Sequence, residues 1–214
     1  MVKTKVIVLG VLHRFHNVVP SFSLAHLELA LEKIKPNLIC TELMQSEIDF
    51  NKQQAFKIEY NVILPYAKKN NILVVGLDPE EPIFSEMADP YIKNQKEFPK
   101  RSPIESKIQD IFHEQLFVFL IKEHWTSISQ TQSEITNTIF KLKHRFQEKI
   151  MGEAEKEGWS KFNSYYAEKI VNLALKESGR IILVTIGLEH VYWLKDKLSK
   201  SSHLEVVDTE QILK

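Results

Sequence analysis

The feature that most constrains this chain is a recurring unit: a short run rich in Val and Ile, a turn, then a longer stretch with apolar residues at helical spacing. Four such runs stand at 5–9, 38–41, 72–77 and 180–186. The third is apolar throughout, as expected of a strand covered on both faces. Between them, 23–35 carries Leu24, Leu27, Leu31 and Ile34 on one helical face before Pro36, and 53–70 carries Phe56, Tyr60, Ile63 and Ala67. The third run stops at Asp78-Pro79-Glu80-Glu81-Pro82, where two prolines forbid continued pairing. Residues 165–178 read as a helix ended by Gly179; after the fourth run come a helix through Leu194 and Leu198 and a short strand at 204–207.

This alternation predicts a single α/β domain over 1–214, a mainly parallel sheet flanked by helices on both faces. Residues 103–157 have no strand-like run; helical spacing through Ile108, Phe112 and Leu116, and again through Ile135, Ile139 and Leu142, predicts a helical insertion. A helical hairpin over the sheet's edge, serving as scaffold, lid or docking face for a partner, is the expected form.

The charge balance excludes some functions. Lys plus Arg equals Asp plus Glu at 28 each, so no net field draws the chain to nucleic acid or an anionic membrane. Its one cysteine, Cys40, lies inside the run 38–41 and reads as core, and one cysteine forms no internal disulfide. The first apolar run, about five residues, is too short for a signal-peptide core, and no stretch approaches the ~20 apolar residues of a membrane span. A cytoplasmic protein is the resulting expectation, with a homo-oligomer left open.

In a parallel sheet the residues just past each strand collect along one edge, where ligands of open α/β sheets bind. Here these are His13 and His16 after the first strand, Glu42 after the second, Asp78, Glu80 and Glu81 after the third, and Glu189 and His190 after the fourth. Histidines and carboxylates so gathered suit a Zn or Mn ion, and equally general acid–base work. Gly10-Val11-Leu12-His13 and Gly187-Leu188-Glu189-His190 share one spacing, a glycine leaving the strand and a histidine three residues on that returns over its end. The sharp expectation is that His13, Glu42 and His190 converge on one solvent-reachable pocket with Asp78 nearby.

Other residues have plainer readings. His16 is a second ligand of the first loop or a partner for the helix beginning near Ser23. Glu189 suits the N-terminal dipole of the helix it precedes, Glu80 and Glu81 are solvated, and Tyr166 is core with a hydroxyl able to face the crest. His26, His113, His124, His144 and His203 read as structural or surface residues.

On the segments 8–13, 36–43 and 182–190 the chain resembles the superfamily that joins erythromycin esterase, the ChaN haem-binding proteins, the TraB pheromone-shutdown proteins and the Tiki metalloproteases. The resemblance covers about 5–80 and 160–208 and leaves the helical middle unmatched. It implies an α/β fold with its site at the strand ends and, for some members, metal-aided hydrolysis. His13 and His190 match the two motif histidines, Glu42 the motif carboxylate, and Asp78 a position where several relatives carry an acid. Where many relatives have an arginine before the last core strand, this chain reads Trp159-Ser160-Lys161-Phe162-Asn163-Ser164-Tyr165-Tyr166.

The leading expectation is therefore a hydrolase, an esterase or a metal-dependent peptidase, acting on a small-molecule or peptide substrate. His13 or His190 serves as base, or with Glu42 and Asp78 as ligand to a divalent metal, Mn or Zn. Without metal, His13 extracts the proton directly and Glu42 orients it. The alternative is a protein that binds a small ligand or haem in the same pocket without turnover, His and Tyr being suitable axial ligands.

Overall fold

The structure, a computed structural model, describes residues 2–50, 52 and 54–214. Its centre is a five-stranded, all-parallel sheet of β1 (Thr4–Val11), β2 (Leu38–Thr41), β3 (Leu73–Gly76), β4 (Ile181–Gly187) and β5 (Leu204–Val207), in the order β3-β2-β4-β1-β5. The central strands β1, β2 and β4 are almost wholly buried, which is why their sequences do not alternate. At the edge β3 is half-open, with Leu73 61% exposed. An unbroken apolar run thus read as a strand covered on both faces, whereas its outer edge has no neighbouring strand.

The helices are α1 (Leu24–Ile34), α2 (Gln45–Asp49), α3 (Tyr60–Lys69), α4 (Ile83–Arg101), α5 (Pro103–Phe119), α6 (Ile128–Thr131), α7 (Glu134–Met151), α8 (Glu153–Lys176), α9 (Val191–Leu198) and α10 (Thr209–Leu213). The expected helix at 53–70 begins only at Tyr60, after turns, and its expected first residue, Gln53, lies outside the described residues. No strand interrupts 103–157, as the spacing predicts, but the helical region is larger than that span. It starts at Ile83, because Pro90 and Pro99 lie inside α4 rather than breaking it, and α4 packs on α5 and α8. At its far end α8 runs unbroken from Glu153 to Lys176, so Tyr165 lies mid-helix.

Connection handedness fixes which face each helix takes. Chain order moves from β1 toward β2 and β3 through α1 and α3, then reverses from β3 back to β4 and on to β5 through α8 and α9. With right-handed crossovers, α1 and α3 cover one face and α8 and α9 the other. The chain leaving β1 and the chain leaving β4 therefore turn to opposite faces, although the strands are neighbours. That opens a crevice at the carboxyl ends of β1 and β4, the position where open α/β sheets bind ligands. His13 follows β1 and His190 follows β4.

Candidate functional site

Three strand ends gather around Gly187. A Cβ placed on this glycine would stand 2.9 Å from His13 Nε2, 3.3 Å from Glu42 Oε2 and 3.5 Å from the His190 ring, so His13, Glu42 and His190 meet where the sequence expects them. Any side chain at 187 would fill the space they share. The Gly187 N–H donates to Glu42 Oε2 at 2.7 Å, and His13 Nε2 lies 4.0 Å from the same oxygen.

His13 sits at φ +50, a backbone state rare for a residue with a Cβ. Its Nδ1 is 2.7 Å from Oε1 of Glu59, a wholly buried carboxylate at the start of α3. Nδ1–H therefore donates to Glu59, and among the described residues Nε2 has no hydrogen-bond partner. Burial disfavours the imidazolium, but the Glu59 hydrogen bond and the Glu42 charge outweigh it and raise the pKa above the ordinary histidine value.

Lys57 links the carboxylates of two strand ends. Its Nζ is 3.2 Å from Glu42 Oε1 and 3.3 Å from Asp78 Oδ2, and it also bonds the Glu42 carbonyl. The Tyr166 hydroxyl donates to Asp78 Oδ1 at 2.5 Å, which connects α8 to the loop after β3. Tyr60 closes the set, its hydroxyl accepting from Glu42 N–H and donating to the Thr185 carbonyl. Burial alone would raise Glu42; Lys57, His190, His13 and the Gly187 N–H lower it to about 2, so it is ionised. For Asp78, burial outweighs Lys57 and raises the pKa.

His190 has a different setting. Asn163 donates from Nδ2 to the Trp159 carbonyl at 2.8 Å, which orients its amide so that Oδ1 accepts from His190 Nδ1–H at 2.9 Å. The Trp159 indole stacks on the His190 ring, centroids 4.3 Å apart, and Tyr166 meets its edge at 5.8 Å. Burial lowers His190 to about 4 despite the pull of Glu42, so it is neutral with its lone pair on Nε2.

The remaining expected residues divide. Glu189 is paired with Lys143 and with His144 at 3.0 Å, both on α7, and not simply turned toward a helix dipole. His144, read from the sequence as a structural or surface residue, is buried and stacks on Trp159 at 3.9 Å. His16 points away from the site: its Nε2 accepts from Leu12 N–H and its Nδ1 donates to the Phe22 carbonyl, which holds the first loop against the entry to α1. Both ring nitrogens are thus used, and burial lowers its pKa. Glu80 binds Ser46 at the surface.

Glu59 and Lys57 are the residues in contact with this cluster that the sequence reading missed. A signal existed for Glu59, which lies three residues after Phe56 and four before Ile63, on the apolar stripe of its helical pattern. A charged residue on a core-facing stripe needs a partner.

His13, Gly187, Glu189 and His190 line a cavity of about 230 Å³ whose other walls are mainly aromatic. Between Glu42 and Asp78 the position a bridging cation would take is held by the Lys57 ammonium, and among the described residues no group of three or more His, Cys, Asp or Glu is placed to hold a metal. Lys57 thus holds the place of a metal shared by Glu42 and Asp78, while in the expected set of His13, Glu42 and His190 both rings use Nδ1 in hydrogen bonds and keep Nε2 without a partner among the described residues. No helix is long and apolar enough to cross a membrane, among the described residues. No family model, no curated protein and no solved structure matches the chain.

Proposed function

We propose that the protein is a hydrolase of small neutral esters or amides in which Glu59 and His13 form a base dyad. The observation that carries this reading is the Glu59–His13 hydrogen bond, which leaves Nε2 as the free ring nitrogen beside the cavity. A base works best with a pKa near the operating pH, and His13 is tuned upward from 6.5. Glu59 takes the orienting role that the sequence reading gave to Glu42. A carboxylate on Nδ1–H fixes the tautomer and stabilises the imidazolium that forms, the logic of carboxylate–histidine pairs in acyl transfer.

In this reaction a water gives one proton to His13 Nε2 while its oxygen bonds the substrate carbonyl carbon. The tetrahedral oxyanion collapses, the bond to the leaving group breaks, and the His13 proton passes to the departing alkoxide or amine. Neutral His190 accepts a hydrogen bond from the water on Nε2 and keeps it oriented. Glu42, ionised and anchored on Gly187 and Lys57, lowers the energy of the imidazolium across 4.0 Å. In the metal-aided form expected from the resemblance, His13, Glu42 and His190 would hold the ion, and Asp78 would join them only where Lys57 leaves Asp78 Oδ2.

The test is hydrolysis of 4-nitrophenyl butyrate by purified protein, with chelator and with Mn or Zn added. Chelator-resistant turnover that is lost in His13→Ala, with its circular dichroism intact, supports the dyad. Turnover that appears only with metal, accompanied by stoichiometric metal uptake, refutes it.

A second reading, ligand binding without turnover, is favoured by one observation. The two strand-end backbone donors are already occupied, Gly10 N–H by Gln132 and Gly187 N–H by Glu42, so neither is free to stabilise an oxyanion. Absence of turnover with every ester and amide tried, together with stable ligand binding in the cavity, is its expected signature.

A further inference from the structure

The cavity beside His13 lies between the crest of the sheet and the helical insertion, and its walls specify more than a place for water. Phe117, Trp125 and Phe140 form a ring cluster with centroids 6.2–6.4 Å apart; Trp125 and Phe140 are 2% and 1% exposed. Phe15 stacks on Phe117, and the Trp159–His190 stack provides another aromatic wall. Apart from its histidines, the charged side chain lining the cavity among the described residues is Glu189, which is met by Lys143 and His144, while Glu42 and Glu59 lie outside the lining, held by Lys57 and by His13. An anionic ligand meets a carboxylate and no ammonium group in this lining, and a cationic ligand meets a carboxylate already paired.

We infer that this cavity binds a neutral compound whose carbonyl carries a single aromatic ring, the ring entering among Phe117, Phe140 and Trp159 while the carbonyl stays beside His13. The inference rests on the proposed hydrolase reading for the carbonyl's fate, and on the cavity alone for the ring. Size supports one ring: an apolar cavity of about 150 Å³ takes benzene, and about 230 Å³ is present. Flat aromatic walls favour offset or edge-to-face contact with such a ring over contact with a flexible chain. The insertion therefore acts as the specificity element of the site, because Phe117, Trp125 and Phe140 belong to it.

The experiment measures binding without turnover, by protein-observed NMR titration with acetophenone, a neutral aryl ketone with no bond to hydrolyse. Acetone, benzoate and phenyltrimethylammonium serve as the ringless, anionic and cationic comparisons. The expected result is that acetophenone binds at least tenfold more tightly than any of the three, and that Phe117→Trp, which adds volume to the wall, weakens it at least tenfold with the fold intact by circular dichroism. Equal binding of acetone, or tighter binding of benzoate or of the ammonium compound, overturns the ligand class; unchanged binding in the variant overturns the location. If Phe117→Trp does not fold, Phe117→Leu, which removes the ring face, is expected to weaken acetophenone at least threefold, and no weakening overturns the location. Loss of the hydrolase reading leaves these results intact, and hydrolysis without ring preference leaves the hydrolase reading intact while overturning this one.

Discussion

The loops Gly10–His13 and Gly187–His190 have the same spacing, leave neighbouring strands, and carry their histidines to one point, yet the two rings have opposite chemistry. His13 gives its Nδ1–H to a buried carboxylate and is pushed upward; His190 gives its Nδ1–H to an amide, lies under an indole and falls to about 4. The motif thus delivers a histidine to the crest, and the helices packed behind it set its protonation. In the proposed reaction, environments that drive the two pKa values apart suit His13 to the role of proton acceptor and His190 to that of neutral hydrogen-bond partner.

The largest expected effect breaks the His13 side of this contrast. Glu59→Gln is predicted to lower kcat/KM by roughly 10²–10⁴-fold, the usual contribution of a positioned base. It also moves the alkaline-rising limb of the pH–rate profile to lower pH, since burial then acts on His13 without the carboxylate. Linkage gives the stability sign: a raised histidine pKa stabilises the fold below its unfolded value of about 6.5, and that contribution fades as pH rises through the folded value. Urea titrations of wild type and Glu59→Gln should therefore differ more at pH 5.5 than at pH 8.5. An unchanged profile and rate would leave His13 as a structural residue.

Next comes the anchor shared by both loops. Lys57→Met leaves Glu42 and Asp78 without their cation and is predicted to destabilise the protein by roughly 3 kcal/mol at pH 7, as removing one partner of a largely buried ion pair does. Glu42 is depressed from 4.5 to about 2, so its stabilisation is present above 4.5 and lost as pH falls toward 2. Denaturation midpoints for the pair should accordingly converge between pH 4.5 and pH 3. A deficit that persists undiminished there would mean that Lys57 acts by packing.

How far the sequence carried this reading follows from the same residues. The strands, their parallel direction and the meeting of His13, Glu42 and His190 were legible because buried parallel strands leave apolar runs, and strand ends share an edge. Partners were not. Asn163 and Trp159 reach His190 from the middle of α8, and Lys143 and His144 reach Glu189 from α7, contacts set by how the insertion folds back over the crest. Pro90 and Pro99 hid α4 because a proline reads as a helix end, while packing on α5 and α8 holds the helix through both.

The two motif glycines sharpen the comparison at a smaller scale. A Cβ on Gly10 would stand 2.2 Å from Leu188 Cδ1 and 3.0 Å from the Leu188 Cα, so Gly10→Ala overpacks the core behind the loop and is predicted to cost about 2 kcal/mol. A Cβ on Gly187 meets instead the His13 ring and the Glu42 carboxylate at 2.9 and 3.3 Å, so Gly187→Ala is predicted to lower turnover more than stability. Thermal melts beside ester hydrolysis separate the two. Equal effects on both readouts in both variants would remove the distinction between a packing glycine and a site glycine.

The smallest expected effect converts one histidine's surroundings toward the other's. Asn163→Asp keeps the side-chain shape and an acceptor for His190 Nδ1–H, gives up the donation to the Trp159 carbonyl, and adds the charge that Glu59 gives His13. An adjacent carboxylate favours the imidazolium, so the His190 pKa is predicted to rise from about 4 by roughly one to two pH units. Burial and the Trp159 stack still oppose the charge, which is why it should stop short of His13. Titration of the His190 ring carbons by NMR reads this directly, with His13 as the internal reference in the same spectra. The acid-side stability loss sharpens the sign: a depressed histidine destabilises the fold as pH falls from about 6.5 toward 4, and Asn163→Asp should narrow that loss. A His190 pKa that stays near 4 with Asp at 163 would mean that the indole and burial alone hold it neutral, and that Asn163 contributes orientation only.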